Sequence, residues 1–464
     1  MIGFAKFEVE GVKMKPLEST PKLTDRYYCF CIVVRVNQIE VAPGINLGHD
    51  ERHENTVENL KKYREAIHDA IPDARITIAF SHEALIDESP NFVAIREKAK
   101  EYHLLYGDEI TYMFGAYFSG AYSPRDAIIS HVDEAIELLK AFMGEDYLPR
   151  SIVGGFVPAK VIEHIASIGI HAVQGIIFSQ YAIDNQDGDG SMCYPYYPSK
   201  EHFCKPAQGE DDFIDAVVLD GWTVDFVNAT YTGIQRINGT KCNSRMGCGP
   251  IETIRAFGEE IGIEIMVKSA AQMLEESYAL NGSFGYTAAI WELCLIQENG
   301  YHRMNMDGGT VRKFFERLKE AFPDVQVVPF GEFGNEFRNA HKNNENISYA
   351  FRHKGIGIGG SFSDVQIEWY MNSLFRLAIK TDLKTGARRV IDFTDYTKPA
   401  CEPPDSNYQE GIIYRNWSLL GDINQKGLRE QDAPIPLESL TENQQALIRT
   451  AEKSLEFISF DPER

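Results

Sequence analysis

Apolar runs and amphipathic stretches take turns along most of this chain. Tyr27 to Ile39 is a long β-prone run, and its continuity predicts a strand buried on both faces. An amphipathic helix follows from about Glu54 to Ala70, then a short strand over 74–80 (ARITIAF). Residues 92–106 read as helix and 109–118 (EITYMFGAYF) as strand. Ser123-Pro124 opens another helix, with proline in the first turn where its missing N–H does no harm. The rhythm continues with a strand over 151–157, a helix over 159–168 closed by Gly169, and a strand over 170–178. A further strand is predicted over 213–226, a helix over 250–260, a strand over 261–267 and a helix over 269–279. Residues 286–296 (YTAAIWELCLI) form the next strand, 311–322 a helix, and 325–330 (VQVVPF) the last strand.

Strand then helix, repeated seven or eight times over about 300 residues, predicts an α/β protein with a parallel sheet. Short strands and that span favour a distorted (β/α)7–8 barrel over an open sheet. No G-x-G-x-x-G follows the first strand, and there is no P-loop. Beyond about Ile347 the pattern changes to short β-prone runs separated by turn signals such as Lys384-Thr385-Gly386 and Pro403-Pro404-Asp405. The predicted organisation is an N-terminal arm over 1–25, the barrel over 26–345, a small antiparallel β accessory domain over 346–430, and a tail with a helix over 431–464.

One stretch breaks the rhythm. Between the strands at 170–178 and 213–226 lies a loop far longer than the usual about 4–6 residues. It sets Tyr181, Tyr194, Tyr196, Tyr197 and Phe203 beside Gln180, Asp184, Asn185, Asp187 and Asp189. Disordered segments are poor in aromatics, so the composition argues for an ordered, functional loop. Rings next to carboxylates and amides suit a sugar, whose C–H faces stack while its hydroxyls need polar partners. The competing reading is a loop packed on its own side chains.

Composition narrows the partners. A net charge of −22 with only 46 Lys and Arg against 68 Asp and Glu argues against nucleic acid or anionic membrane surfaces, but says nothing about neutral ligands. No apolar run approaches the ~18 residues of a membrane span. The start, MIGFAKFEVEGVKMKP, is no signal peptide, so the chain as written reads as cytoplasmic, or as periplasmic or secreted if a leader has been removed. Eight cysteines build no disulfide framework. Cys29 and Cys31 alternate within YYCFCIVV and read as small core residues on one face. Cys193 with Cys204, and Cys242 with Cys248, are the only pairs whose placement suggests a bridge.

A barrel puts its chemistry at the C-terminal ends of its strands. Expected there are Glu40 after the first strand, His82 after the second, Asp220, Trp222 and Asp225 with the strand over 213–226, and Trp291 and Glu292 with the strand over 286–296. Glu332 follows the last. Several carboxylates beside Trp and Tyr are what glycosidic or acyl-sugar hydrolysis needs, one held protonated as acid and one ionised as base or nucleophile. The candidate catalytic residues are therefore Glu292, Asp220, Asp225, Glu40 and His82. Trp222, Trp291, Tyr181, Tyr194, Tyr196, Gln180, Asp184 and Glu332 are the candidate sugar contacts. Glu292 ranks first, since a carboxylate in an apolar strand beside Trp291 is poised for a raised pKa. The alternative for each acid taken singly is an ordinary strand-end carboxylate paired with Lys or Arg.

A metal competes with this carboxylate chemistry. His49-Asp50-Glu51-Arg52-His53 would, on a helix, place both imidazoles on one face as ligands for a divalent cation such as zinc, with Glu40 to complete the set. The alternative is a solvated helix start.

The barrel pattern, HAVQGIIFSQYAIDNQDGDG…CYPYYPS, and IWELCLI followed by a helix and VVPFGEFG resemble a bacterial family of polysaccharide-deacetylase-like (NodB-like, glycoside hydrolase/deacetylase) barrels with a small β domain behind them. The resemblance covers about 25–430 and implies a seven- or eight-stranded distorted barrel acting on acetylated or other complex glycans. The chain departs from metal-dependent polysaccharide deacetylases in two places. Arg35-Val-Asn37-Gln38-Ile-Glu40 stands where they carry paired aspartates, and the H-x-x-x-H follows the first strand rather than a later one. The expected function is a carbohydrate-active hydrolase, with glycan deacetylation first, glycosidic cleavage by a carboxylate pair second, and glycan binding without catalysis third.

Overall fold

The structure is a computed structural model that describes residues 23–42, 44–115, 119–177, 190–230, 234–237, 240–243, 245–296, 306–345 and 347–405. A few short pieces (8–9, 12–13, 417, 419 and 435–436) complete it. Tyr181, Gln180 and Asp184, with the rest of 178–189, lie outside the described residues, as does the helix expected in the C-terminal tail.

The strand-helix alternation is largely realised. The long apolar run becomes β1 (Asp25–Val34), flanked in sequence by α1 (Val57–Ala70), β2 (Thr77–Phe80), α2 (His82–Ile86) and α3 (Pro90–Tyr106). Thr56 caps α1 by accepting from the Asn59 N–H, and Ser89 with Pro90 opens α3, which stops at Gly107 in the left-handed region. Next come β3 (Glu109–Tyr112), α4 (Arg125–Met143), β4 (Ser151–Val153), α5 (Ala159–Ser167), β5 (Ala172–Ile176) and β6 (Val217–Asp220). The series closes with α6 (Glu259–Ala271), β7 (Phe284–Glu292), α7 (Gly308–Ala321), β8 (Gln326–Val328) and α8 (Phe330–Ala340).

The strands form two parallel sheets. One runs β7-β1-β2-β3, with β8 beside the first half of β1; the other runs β6-β5-β4. They meet at both edges. A parallel bridge links Met113 to Val153, and the Thr223 N–H donates to the Ala288 carbonyl at 2.9 Å. The ladder is interrupted at the second junction because Tyr196 of the long loop takes the free edge of β6, its carbonyl accepting from the Val218 N–H at 2.8 Å. Thus the parallel α/β expectation holds as two sheets in edge contact, without one continuous ladder around a ring.

Period-two alternation sorts the side chains. Tyr28 and Phe30 of β1 pack on Phe314 and Phe315 of α7, so Cys29 and Cys31 face the opposite side of the sheet, fully buried. On that side Gly221 approaches Gln174 of β5 and Ile290 of β7 so closely that an added Cβ would lie 2.6 Å from the amide and 2.8 Å from the isoleucine methyl. Gln174 accepts from the Gly155 N–H at 2.9 Å and donates to the Ile176 carbonyl, tying the ends of β4 and β5 together.

Helix α8 closes the N-terminal ends of the strands. The Phe330 N–H donates to Thr77 Oγ1, the Gly331 N–H to Glu109 Oε2, and Phe333 packs on Tyr27 and Tyr286.

The run 261–267, expected as a strand, is helical within α6. Glu259 and Glu260 occupy its first turn, where the helix dipole favours acids, and buried Gly262, Ile263, Met266 and Ala270 recur at helical spacing. A short apolar run does not by itself distinguish the two conformations.

The C-terminal region is an antiparallel sheet, β9 (Ser348–Lys354), β10 (Val365–Asn372), β11 (Phe375–Asp382) and β12 (Arg388–Asp395), with Ile435–Pro436 at its edge. Phe351, Trp369 and Met371 join the main core, while Ala350, Tyr370, Leu377, Ile379, Val390 and Phe393 make a second one. Arg376 spans the junction: it forks onto Asp392 and donates to the Ser191 carbonyl at 2.7 Å.

No disulfide joins Cys193 to Cys204, and the Cys248 thiol is likewise unbridged, so neither candidate bridge forms. Among the described residues no helix is long and apolar enough to cross a membrane.

Candidate functional site

At the C-terminal end of β7, Ile290 faces Gly221 across the space between the sheets, so Glu292 shares that face and Trp291 points the other way. Glu292 keeps about a fifth of its side-chain exposure (21%), with Oε1 3.6 Å from Arg35 Nη2. Burial pushes its carboxyl above the usual carboxylate range; Arg35 opposes this, and Glu51 reinforces it. Arg35, one residue beyond β1, forks onto Glu51 at 2.7 and 2.8 Å, and both side chains are almost fully buried.

The turn after residue 244 brings in the rest. The Arg245 guanidinium lies 5.2 Å from the centroid of the Trp222 ring, 3.7 Å from Glu252 Oε1, and close enough to Glu292 to lower its pKa in part. The Cys248 thiol, pushed well up by burial, feels Glu252, Arg245, Glu292 and Asp220 together. Asp220 ends β6, accepting from the Gly221 N–H at 2.9 Å, and its backbone carbonyl takes the Tyr286 hydroxyl. Thus Arg245 and Cys248 link Glu292 with Asp220, Glu252 and the half-buried Trp222, and Arg35 with Glu51 borders Glu292 on another side. Arg35 could have been found in the sequence: it continues the inward parity of Cys29, Cys31 and Val33, and a charge at such a position demands a partner. Arg245 carried no such signal.

A second group gathers beyond the ends of β1–β3. Glu40 Oε1 accepts from Ser81 Oγ and the Val36 and Asn37 N–H groups, and the Glu40 Cβ and carbonyl pack so tightly on Gly115 that a Cβ there has no room. Glu40, His82, Glu83, Ser119 and His131 line a cavity of about 30 Å³, room for water-sized groups. His82 Nε2 lies 3.2 Å from Glu134 Oε2, and its ring is 6.0 Å from that of His131, which burial and His82 together hold below the usual histidine pKa.

Five expectations are corrected. Trp291 is fully enclosed, edge-on to Phe30 and tilted on Phe314, so it belongs to the helix-facing core and offers no face to a ligand. Tyr194 stacks on Tyr349 at 4.6 Å, and the Tyr196 hydroxyl donates to the Phe203 carbonyl; both are buried, so this part of the loop is packing. Asp225 is sealed against the C-terminal sheet, bound by His353 and Ser361. Glu332 lies at the opposite end of the strands, on α8, paired with Arg75. His49 and His53 are not on a helix: α1 begins only at Val57, His49 bonds Glu54 at 2.9 Å, and His53 is exposed.

Among the described residues no three His, Cys, Asp or Glu side chains converge as a bound metal would require. The zinc ligand set expected from His49, His53 and Glu40 does not fit this geometry.

No curated protein matches the chain. A solved structure from Parabacteroides distasonis, provisionally described as a glycoside hydrolase/deacetylase, is 38% identical over 94% of this chain and 99% of that one, with a TM-score of 0.85. A Mycobacterium smegmatis structure provisionally described as a polysaccharide deacetylase is 14% identical over 69% of this chain and 93% of its own, at a TM-score of 0.42. Agd3, described as a carbohydrate deacetylase, is 9% identical over 81% and 60%, at 0.40. Residues 376–455 match a domain of unknown function with a solved structure, DUF3864. The match that spans the parallel sheets and the first two strands of the antiparallel one, residues 20–371, is to another such domain, and the chain belongs to that family, DUF3863.

Proposed function

We propose that this protein is a carbohydrate-active hydrolase that holds a glycan against Trp222 and delivers a proton from Glu292. The observation that carries the reading is Glu292 itself: a partly exposed carboxyl, raised by burial, with a second strand-end carboxylate, Asp220, and the Trp222 indole grouped with it around Cys248 and Arg245. Glycosidic cleavage needs that set. The protonated carboxyl gives its proton to the leaving oxygen, the ionised one supports the water or the developing positive carbon, and a ring stacks on the sugar. The Parabacteroides distasonis relative supports carbohydrate hydrolysis without deciding the bond, since its description names both glycoside hydrolysis and deacetylation.

Removal of an acyl group is the second reading, favoured by that description and by the carboxyl and imidazole groups that line the cavity at His82. The two are separated by products. Purified full-length protein is incubated with plain and acetylated polysaccharides while reducing ends and free acetate are followed. New reducing ends, abolished in Glu292→Gln, are expected. Acetate without reducing ends selects the second reading, and neither product across the panel removes both.

A further inference from the structure

Among the described residues Arg35 is the nearest cation to Glu292, yet it stands too far away to hydrogen-bond it. A charge-assisted guanidinium–carboxylate bond is about 2.7–2.9 Å, and the Arg35 Nη2–Glu292 Oε1 separation is 3.6 Å. The same Nη2, with Nε, is committed to Glu51 at 2.8 and 2.7 Å. Glu51 is itself fixed, its backbone N–H donating to the Val36 carbonyl at 2.8 Å, while Asn55 Nδ2 donates to the Arg35 carbonyl at 2.6 Å. A loop thus clamps both partners of the fork.

We infer that Glu51 is a positioning residue. By engaging both prongs of Arg35 it withholds a full ion pair from Glu292, and so leaves Glu292 able to carry the proton that hydrolysis consumes. This role rests on the reading of Glu292 as the acid. The Arg35–Glu51 pair is formally neutral, so it steadies the site without adding a net charge beside the acid. Were Arg35 free to swing by less than 1 Å toward Glu292, Coulomb attraction would favour the carboxylate, and the group would be spent as an acid near neutral pH. Among the described residues, Arg245, Cys248, Cys294 and Tyr63 also face Glu292, and Asp220 and Glu252 reach the same group through Cys248. Of these only Arg245 is a cation, and its guanidinium is shared with Trp222 and Glu252.

The test reads Glu292 directly and needs no substrate. Full-length protein labelled with [δ-¹³C]glutamate is titrated by NMR, and the Glu292 carboxyl is assigned by its disappearance in Glu292→Gln. In Glu51→Gln the Glu292 midpoint is expected to fall by about one to two pH units. In Arg35→Gln/Glu51→Gln, which removes both charges, it returns to within about half a unit of wild type. A Glu51→Gln midpoint equal to wild type overturns the inference, since a merely structural role would not move it. Should Glu51→Gln not fold, the double variant decides alone: a midpoint displaced by more than one unit shows that the pair does not act as a neutral unit. Because no turnover is involved, this can fail while Glu292 remains the acid. It can also succeed while Glu292→Gln retains activity, which would remove the function instead.

Discussion

The Asp225 carboxylate and the His353 imidazole meet at 2.9 Å in a wholly buried contact between the end of the β6 segment and β9. Burial alone would push the Asp225 carboxyl up. The charge and hydrogen bond of His353, the Asn228 N–H and the Ser361 hydroxyl outweigh it and hold the carboxyl below its usual value. The contact therefore acts as a weld between the parallel sheets and the antiparallel one.

A folded pKa below the unfolded one gives stability that is present above the unfolded value, about 3.9 for aspartate, and lost as pH falls through the folded value. Asp225→Asn should accordingly flatten the acid limb of stability against pH. At neutral pH it should cost about 3–5 kcal/mol, as for a broken buried pair. Urea denaturation of both proteins from pH 7 down to pH 3 measures both effects.

Two tryptophans should part company. Trp291→Ala removes an enclosed ring wedged between Phe30 and Phe314 and should cost about 3–5 kcal/mol of stability. Trp222→Ala should change stability far less and instead weaken glycan binding by about 1–3 kcal/mol, the range for a packed aromatic contact. Thermal melts and carbohydrate titrations of the two variants distinguish them.

Glu292→Gln keeps the shape of the mouth and leaves the Arg35–Glu51 fork in place, so the melting temperature should stay within a few degrees. Turnover should fall by about 10²–10⁴, the usual worth of a general acid. A fall confined to KM would mean that the residue only binds.

Gly221→Ala should destabilise by about 1–3 kcal/mol, because the new methyl meets the buried Gln174 amide and the Ile290 side chain where two sheets touch. Its effect should shrink in Ile290→Val, which vacates part of that space, and a double-mutant cycle checks the coupling.

The sequence carries the alternation of strands and helices because each depends on local periodicity, and Glu292 and Asp220 could be placed from it because they end apolar runs. What misled was parity and topology. Trp291 and Glu292 are neighbours in sequence, but a strand sends them to opposite sides, so one cannot serve a site because the other does. Glu332 followed a strand of the right kind, but that strand pairs with the first half of β1, which drops its end at the far side of the molecule. Tyr194 and Tyr196 looked like a sugar platform because a long aromatic loop has that composition whether its rings face a ligand or a neighbouring sheet. Tyr194 lies against Tyr349 of a distant antiparallel strand and Tyr196 along the edge of β6, and neither neighbour can be read from the loop itself. Arg245 became visible only once the chain had folded back over Trp222.

The two matched families end and begin at residues 371 and 376, on either side of the hairpin that joins β10 to β11. Those strands pair from Val365–Asp382 through Met371–Arg376, and Arg376 is fully buried. Chain severed at that hairpin would expose two raw strand edges, each a template for further pairing. Expressed apart, the halves should precipitate or find one another rather than behave as separate modules, and any recombination between relatives is constrained to exchange both together.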